Sequence, residues 1–161
     1  MKIGVLAIQG DFIEHMEALR RLKVEAVPVR LPADILGLDG LIIPGGESTT
    51  IRRLGLEYGV FPAIKSLNQK GVPILGTCAG MIILATRATE LENGSLGIID
   101  VEVRRNAFGR QLDSFEIDLP ISVLGKKPFH AVFIRAPRIE KVGPGVEVLA
   151  KLPTGEPVAA R

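Results

Sequence analysis

The pentapeptide Gly76-Thr77-Cys78-Ala79-Gly80 sets the strictest condition on how this chain can fold. It follows the apolar run Pro73-Ile74-Leu75 and precedes a helix-like apolar run at residues 81–85. A strand that turns directly into a helix at a nucleophile needs very small residues two positions away on each side, because the backbone folds back on itself. The pattern therefore predicts a nucleophile elbow that places the Cys78 sulfur at a helix N-terminus. The free N–H groups and the helix dipole at that terminus predict a thiolate.

The simpler alternative is that the lone cysteine is a small buried core residue. A second glycine cluster favours a catalytic role for the cysteine instead. The cluster is Pro44-Gly45-Gly46-Glu47-Ser48-Thr49-Thr50, and it follows an apolar segment at residues 40–43. Paired glycines let a ligand approach the backbone and direct N–H groups at it. The structural alternative is a loop in which Ser48 or Thr49 caps a helix. A phosphate-binding P-loop is not predicted, because no Gly-Lys-Ser/Thr sequence follows.

Strand-like and helix-like segments alternate through the first half of the chain. Strands are predicted at residues 2–8, 24–30 and 40–43 and at the elbow, and helices at 12–22 (with Asp11 as N-cap), 49–58 and 60–70. This alternation predicts an α/β fold with an open, mostly parallel sheet and helices on both faces. The segments 97–105, 115–119, 131–135, 146–151 and 157–161 also look like strands, with little helix between them. We expect them to add antiparallel strands at one edge of the sheet.

The composition restricts the function in a few ways. The length of 161 residues favours one domain with a substantial core, and only 4% are aromatic, so that core must consist of aliphatic side chains. A net charge of +2 does not indicate nucleic acid or an anionic membrane as a partner. No run approaches the roughly 18 apolar residues of a membrane span. The single cysteine and the absence of a predicted export signal favour a cytoplasmic location.

Together, the two glycine motifs resemble those of the class I, triad-type glutamine amidotransferases, which have a flavodoxin-like fold. More of the chain is similar to one branch of that family, the glutaminase subunits of pyridoxal 5′-phosphate synthase. The segments that carry this finer resemblance are residues 4–6, 9–10, 14–15, 44–53, 76–83, 105–106, 108–111, 113–116 and 132–137. The resemblance implies hydrolysis of L-glutamine to glutamate and ammonia through a cysteine thioester, without a cofactor. It also implies that the ammonia passes to a synthase subunit.

The resemblance implies a role for individual residues. Cys78 is the expected nucleophile, and backbone N–H groups of Ala79 and of the Gly45-Gly46 turn are the expected oxyanion donors. The bound glutamine is expected to contact Gly46, Glu47, Ser48, Arg105, Ile134 and Arg135. Chemically, Glu47 or a backbone carbonyl could accept the substrate ammonium, and either arginine could bind the α-carboxylate. A solvated strand edge is the alternative for Arg104, Arg105 and Arg110.

One expected segment does not occur in this sequence. The family has a late Phe-His-Pro-Glu segment that supplies the catalytic histidine and its glutamate, and neither His15 nor His130 matches it. We expect residues 1–161 to be one glutaminase domain that lacks its C-terminal segment, with the histidine and glutamate beyond Arg161. The alternative is a protein without its base.

The remaining candidates leave two other functions open. One is a different elbow-type cysteine hydrolase, such as a small peptidase or deglycase, and the other is a non-catalytic module that binds glutamine or a synthase. His15 suits a partly exposed helix residue or a partner-binding surface, and His130 a structural role. No metal site is predicted, because two histidines and one cysteine far apart in sequence do not form a recognisable ligand set.

Overall fold

The structure is a computed structural model that describes residues 1–89, 91, 95–105, 114–134 and 136–161. Its central element is a four-stranded parallel sheet in the order β2-β1-β3-β4. The strands are β1 (Lys2–Leu6), β2 (Glu25–Val29), β3 (Gly40–Ile43) and β4 (Ile74–Gly76). The predicted α/β class with a mostly parallel sheet is therefore confirmed. The strand order reverses between β1 and β3, and such a switch point is where open α/β sheets bind ligands.

Helices connect the strands of this sheet. They are α1 (Phe12–Arg21), α2 (Ser48–Glu57), α3 (Val60–Gln69) and α4 (Ala79–Leu84), and each predicted helix lies within two residues of an observed one. α1 packs on β1 and β2, and α4 packs on β3 and β4. Asp11 is the N-cap residue of α1, as predicted, but its side chain makes no capping hydrogen bond. Within the described residues, none of the helices has the length and apolar character needed to cross a membrane.

The main core lies between the parallel sheet and its helices, and it is aliphatic as predicted. In α3, Val60, Ile64 and Leu67 are buried at helical spacing, which turns one face of that helix into the core. The largest fully buried side chains of the molecule are Val5, Leu6, Val29, Leu41, Ile43, Pro44, Ile51, Val60, Ile64, Ile83 and Val103. The strand ends that carry the two glycine motifs are therefore held by closely packed side chains.

The rest of the chain forms three small sheets. Its strands are β5 (Ala85–Ala88), β6 (Ile99–Arg104), β7 (Ser114–Leu119), β8 (Phe129–Ile134), β9 (Arg138–Val142), β10 (Val148–Lys151) and β11 (Pro157–Ala160). They pair as β5-β6-β9, β7-β8 and β10-β11, and all pairs except β5 with β6 are antiparallel. The antiparallel strands expected beside the parallel sheet thus occur, but among the described strands they pair with one another. β5 was not expected, because its first residue continues the apolar helical pattern of α4.

Candidate active site

The chain turns from β4 into α4 at Cys78, as the glycine pattern predicted. Cys78 has φ 50° and ψ −109°, a conformation that L residues rarely adopt, and its side chain is exposed. A Cβ atom on Gly76 would lie 2.6 Å from the carbonyl of Gly80, and one on Gly80 would overlap the carbonyl oxygen of Ile43. Both glycines are therefore required for the elbow to pack against β3.

The loops that follow β1 and β3 are joined by hydrogen bonds next to the elbow. The Asp11 N–H donates to the carbonyl of Gly45 at 3.0 Å, and the Glu47 N–H donates to Gln9 Oε1 at 2.9 Å. Gly46 has a φ of +151°, and a Cβ there would lie 2.8 Å from the Gly10 Cα. The sequence patterns assigned no role in the site to Gln9. Only the family resemblance at Gln9-Gly10 pointed to this residue.

The loop after β3, which contains Gly45 and Gly46, packs directly against the elbow. A Cβ atom on Gly45 would be 3.5 Å from the Cβ of Cys78 and 3.3 Å from Asp11 Oδ2. The Ala79 N–H donates a hydrogen bond to the Cys78 sulfur. Because Asp11 holds the Gly45 carbonyl and the peptide is trans, the Gly46 N–H points away from Asp11. The structure thus brings Gly45 and Asp11 close to Cys78, and the Ala79 N–H to its sulfur.

Glu47 is the N-cap residue of α2, whereas Ser48 or Thr49 was expected there. That prediction was wrong because the Glu47 carboxylate accepts the N–H groups of Thr49 at 3.0 Å and Thr50 at 2.7 Å. Ser48 instead lies in the first turn and is buried. Burial opposes ionisation of Glu47, but the side-chain and backbone hydrogen bonds from Thr49 and Thr50 lower its pKa to about 2.

Arg105 reaches this site from the end of β6. Its guanidinium lies 3.2 Å from Glu47 Oε1, and its side chain is only 16% exposed. Its neighbour Arg104 pairs with Glu140 and is 61% exposed, so Arg104 fits the solvated strand edge and Arg105 does not. The Glu47 oxygens are filled by donors from Thr49, Thr50 and Arg105. A substrate ammonium would therefore have to displace a donor from Glu47 or use a backbone carbonyl.

The structure does not show contacts to the site for the other predicted residues from the second half of the chain. Ile134 is the last residue of β8, and its side chain is 62% exposed. Arg135, Asn106 and Arg110 lie outside the described residues. The contacts of Ile134 and Arg135 with glutamine therefore stay predictions.

The thiol of Cys78 is not activated by its surroundings. Partial burial raises its pKa above the usual value and the charge of Asp11 adds to this, while the hydrogen bond from Ala79 opposes both. The thiolate expected from the helix terminus is therefore not favoured, because α4 has only six residues and directs one N–H at the sulfur. A separate proton acceptor is needed to ionise Cys78.

Neither histidine makes a hydrogen bond to the Cys78 sulfur. His15 Nε2 lies 3.3 Å from Thr77 Oγ1, and burial lowers the pKa of His15. His130 lies on the exposed face of the β7-β8 hairpin, where the hydrogen bonds that its ring donates to Asp118 and Glu116 raise its pKa. Across the described parts of the chain, no group of histidine, cysteine, aspartate and glutamate side chains could hold a metal ion.

Comparison with known proteins identifies relatives along the whole chain. A family model described as the SNO glutamine amidotransferase family matches residues 5–161. A protein from Herpetosiphon aurantiacus named pyridoxal 5′-phosphate synthase subunit PdxT is 53% identical, over 100% of this chain and 86% of its own length. A protein of the same name from Dehalococcoides mccartyi is 56% identical, over 100% and 84%. A crystal structure described as a glutamine amidotransferase matches with a TM-score of 0.93 at 50% identity, over 100% of this chain and 85% of that one.

Proposed function

The chain belongs to the SNO glutamine amidotransferase family, and from this membership we propose that Cys78 is the nucleophile of a glutaminase. The sulfur attacks the side-chain amide carbon of L-glutamine, ammonia leaves, and a glutamyl thioester forms. Water then attacks the thioester, releases glutamate and returns the thiol. The observation that carries this assignment is the exposed sulfur on a strained elbow, with the glycine loop packed against it.

The glutaminase acts as a subunit of pyridoxal 5′-phosphate synthase, in agreement with the name of its relatives. Its product ammonia is proposed to pass to the synthase subunit of that enzyme, which uses it to build pyridoxal 5′-phosphate. A glutaminase that worked alone would waste glutamine, so turnover is expected to be low until the synthase subunit docks. A reducing cytoplasm suits the free, exposed thiol and is the proposed location.

The oxyanion that develops on the amide oxygen is assigned to two backbone donors. One is the Ala79 N–H, which already donates to the sulfur, and the other is an N–H of the Gly45-Gly46 turn. Loss of one such donor typically costs roughly 3 kcal/mol of transition-state stabilisation. This need for closely placed backbone explains why glycine occupies positions that have no room for a Cβ.

The amino-acid end of glutamine is assigned to the residues around the start of α2. Gly46, Glu47 and Ser48 form one wall, and Arg105 reaches them through its pair with Glu47. The guanidinium can bind the α-carboxylate of glutamine while it stays beside Glu47. Ile134 and Arg135 are proposed to complete the site from the end of β8.

The base that ionises Cys78 is proposed to be neither of the two histidines in this sequence. His15 contacts Thr77, and His130 is engaged by two carboxylates on the hairpin. The raised pKa of the thiol makes a general base necessary at neutral pH. The proposal assigns this role to the histidine of a Phe-His-Pro-Glu segment beyond Arg161, oriented by its glutamate.

Affinity labelling tests the assignment of the nucleophile. The protein is incubated with the chloromethyl ketone analogue of glutamine, and the modified residue is located by peptide mass spectrometry. We expect one adduct on Cys78, no adduct in Cys78→Ala, and protection by L-glutamine. Labelling without protection by glutamine would favour another cysteine hydrolase, and binding of L-glutamine to a protein that forms no adduct would favour a non-catalytic binding module. Ammonia release with and without the synthase subunit then tests the dependence on the partner.

A further inference from the structure

The side chain of Asp11 is turned away from the helix that it caps. An aspartate at an N-cap normally accepts an N–H of the first turn, but Asp11 makes no such bond in α1. Its Oδ2 lies instead 3.3 Å from the position of a Cβ on Gly45, and the Cβ of Cys78 lies 3.5 Å from the same position. The carboxylate oxygen and the Cys78 Cβ are therefore at most about 7 Å apart, and both lie next to Gly45.

The negative charge of Asp11 is not balanced by the other groups that face the elbow. Glu47 and Arg105 form an ion pair with each other, and α4 has no charged residue. His15 contacts Thr77, and burial lowers its pKa although the charges of Glu14 and Asp11 oppose this. Among the described residues no ion pair joins Asp11 to a cation. Its charge also acts on the thiol, whose pKa it raises.

We propose that Asp11 is a specificity residue. Its charge disfavours a negatively charged group at the position from which a group bonds to the Cys78 sulfur or into which it is released. Glutamine presents a neutral carboxamide at this point, whereas the product glutamate presents a carboxylate. Repulsion between like charges therefore weakens the binding of glutamate and leaves glutamine unaffected. This inference rests on the proposed function in one respect, the identity of the substrate and product.

Two small electrophiles of different charge test the proposal directly at the sulfur. Iodoacetamide is a neutral carboxamide and iodoacetate is a carboxylate, and both form the same S–C bond with loss of iodide and of the thiol proton. The ratio of their rate constants is compared with the ratio for free cysteine at the same pH. We expect the protein to prefer iodoacetamide more strongly than free cysteine does. The Asp11→Asn variant should lower this preference by about threefold, as expected for two charges separated by a few ångströms in water.

Matched variants separate the charge of Asp11 from other effects. Glu14→Gln removes one negative charge from the exposed first turn of α1 and should leave the ratio at the wild-type value. Asp11→Glu keeps the charge and should keep most of the preference, and Asp11→Ser repeats the loss with a different side chain. A ratio unchanged in both Asp11→Asn and Asp11→Ser, or lowered equally in Glu14→Gln, would overturn the proposal. Thermal melts confirm that the variants are folded.

Product inhibition gives a second readout in the assembled synthase. The inhibition constant of L-glutamate should fall by about threefold in Asp11→Asn, relative to the KM for glutamine. An unchanged relation between the two constants would overturn the proposal even if the chloromethyl ketone labels Cys78. Conversely, if that analogue fails to label Cys78, the proposed function fails, while the iodoacetamide and iodoacetate rates still report the charge beside the sulfur.

Discussion

The parallel sheet with its helices and the three small sheets differ in how closely their residues are packed. Of the largest fully buried side chains, all except Val103 precede β5. The β7-β8 hairpin instead exposes Phe129, Val132 and Ile134, and it packs on a second, smaller cluster of buried residues. Glycines are closely packed at the elbow, where a Cβ on Gly76 or Gly80 would overlap other atoms, but they do not follow the division strictly. A Cβ on Gly143 would overlap the Asp100 carboxylate, and one on Gly37 or Gly71 would meet open space.

The candidate active site lies mainly in the more closely packed of these two regions. The proposed nucleophile Cys78, the glycine loop and the Gln9–Asp11 loop all follow strands of the parallel sheet, where packing holds the backbone in place. A catalytic group needs such precise support, and rigid elements provide it better than a mobile surface does. Among the described residues of the small sheets, only Arg105 reaches the site by a charged contact, and its side chain is mostly buried.

The largest predicted effect tests this difference in packing with one matched pair of glycines. Gly80→Ala should lower the free energy of unfolding by roughly 3 kcal/mol, because the new Cβ collides with the Ile43 carbonyl in β3. Gly97→Ala should cost only about 1 kcal/mol, which reflects its φ of +64° and not a collision. Urea denaturation of both variants measures the two costs. Equal costs would show that the elbow has room to relax.

Prediction from sequence succeeded where burial imposes a pattern on the chain. β3 was expected at residues 40–43 and α3 at 60–70, and the structure has Gly40–Ile43 and Val60–Gln69. β9 was missed because three of its five residues are charged. β9 pairs with β6 through backbone hydrogen bonds and the Lys141–Glu102 salt bridge. Because β6 is far from β9 in sequence, the local pattern of residues 138–142 does not reveal this pairing.

The same limit applies within the candidate site. The elbow was predictable because its glycines and cysteine are neighbours in sequence. The bond of Glu47 to Gln9 and the direction of Asp11 were not, because they depend on β1 and β3 lying side by side. The capping role of Glu47 is local, but it was not expected because Ser and Thr are preferred to Glu as N-cap residues. The thiolate was not predicted correctly for a related reason, since the burial that raises the pKa of Cys78, and after it the charge of Asp11, come from how neighbouring segments pack around the elbow.

A pair of neighbouring arginines tests how strongly the small sheets take part in binding. Arg105→Ala should weaken protection by L-glutamine against the chloromethyl ketone by about tenfold, because it removes the proposed partner of the α-carboxylate together with the charged partner of Glu47. Arg104→Ala removes the same charge from an exposed pair with Glu140 and should change protection by less than about twofold. Arg105→Lys should recover part of the loss. Similar effects of the two alanine variants would contradict a specific role for Arg105.

Glu47 tests the pH dependence of the parallel half. Its pKa in the folded protein is lowered to about 2, so its stabilising effect is complete above the unfolded value and is lost as the pH falls towards 2. Glu47→Gln should cost about 1 kcal/mol at pH 7, as for other lost helix caps, and less at pH 3. Urea denaturation at both pH values measures this change. Glu57→Gln, at the other end of α2, should cause no such loss, and a pH-independent cost for Glu47→Gln would exclude the carboxylate as its cause.

The smallest predicted effect has the opposite pH dependence and lies on the exposed hairpin. Asp118 and Glu116 raise the pKa of His130, so the imidazolium stabilises the hairpin below the unfolded value, and this effect is lost as the pH rises above the raised one. His130→Gln should therefore speed hydrogen exchange of β7 and β8 amides at pH 5 but not at pH 9, each compared with wild type at the same pH. Asp118→Asn should have a similar effect at pH 5. Faster exchange at both pH values would mean that His130 acts through packing, and a change in α2 or α3 would mean that the hairpin and the main core unfold together.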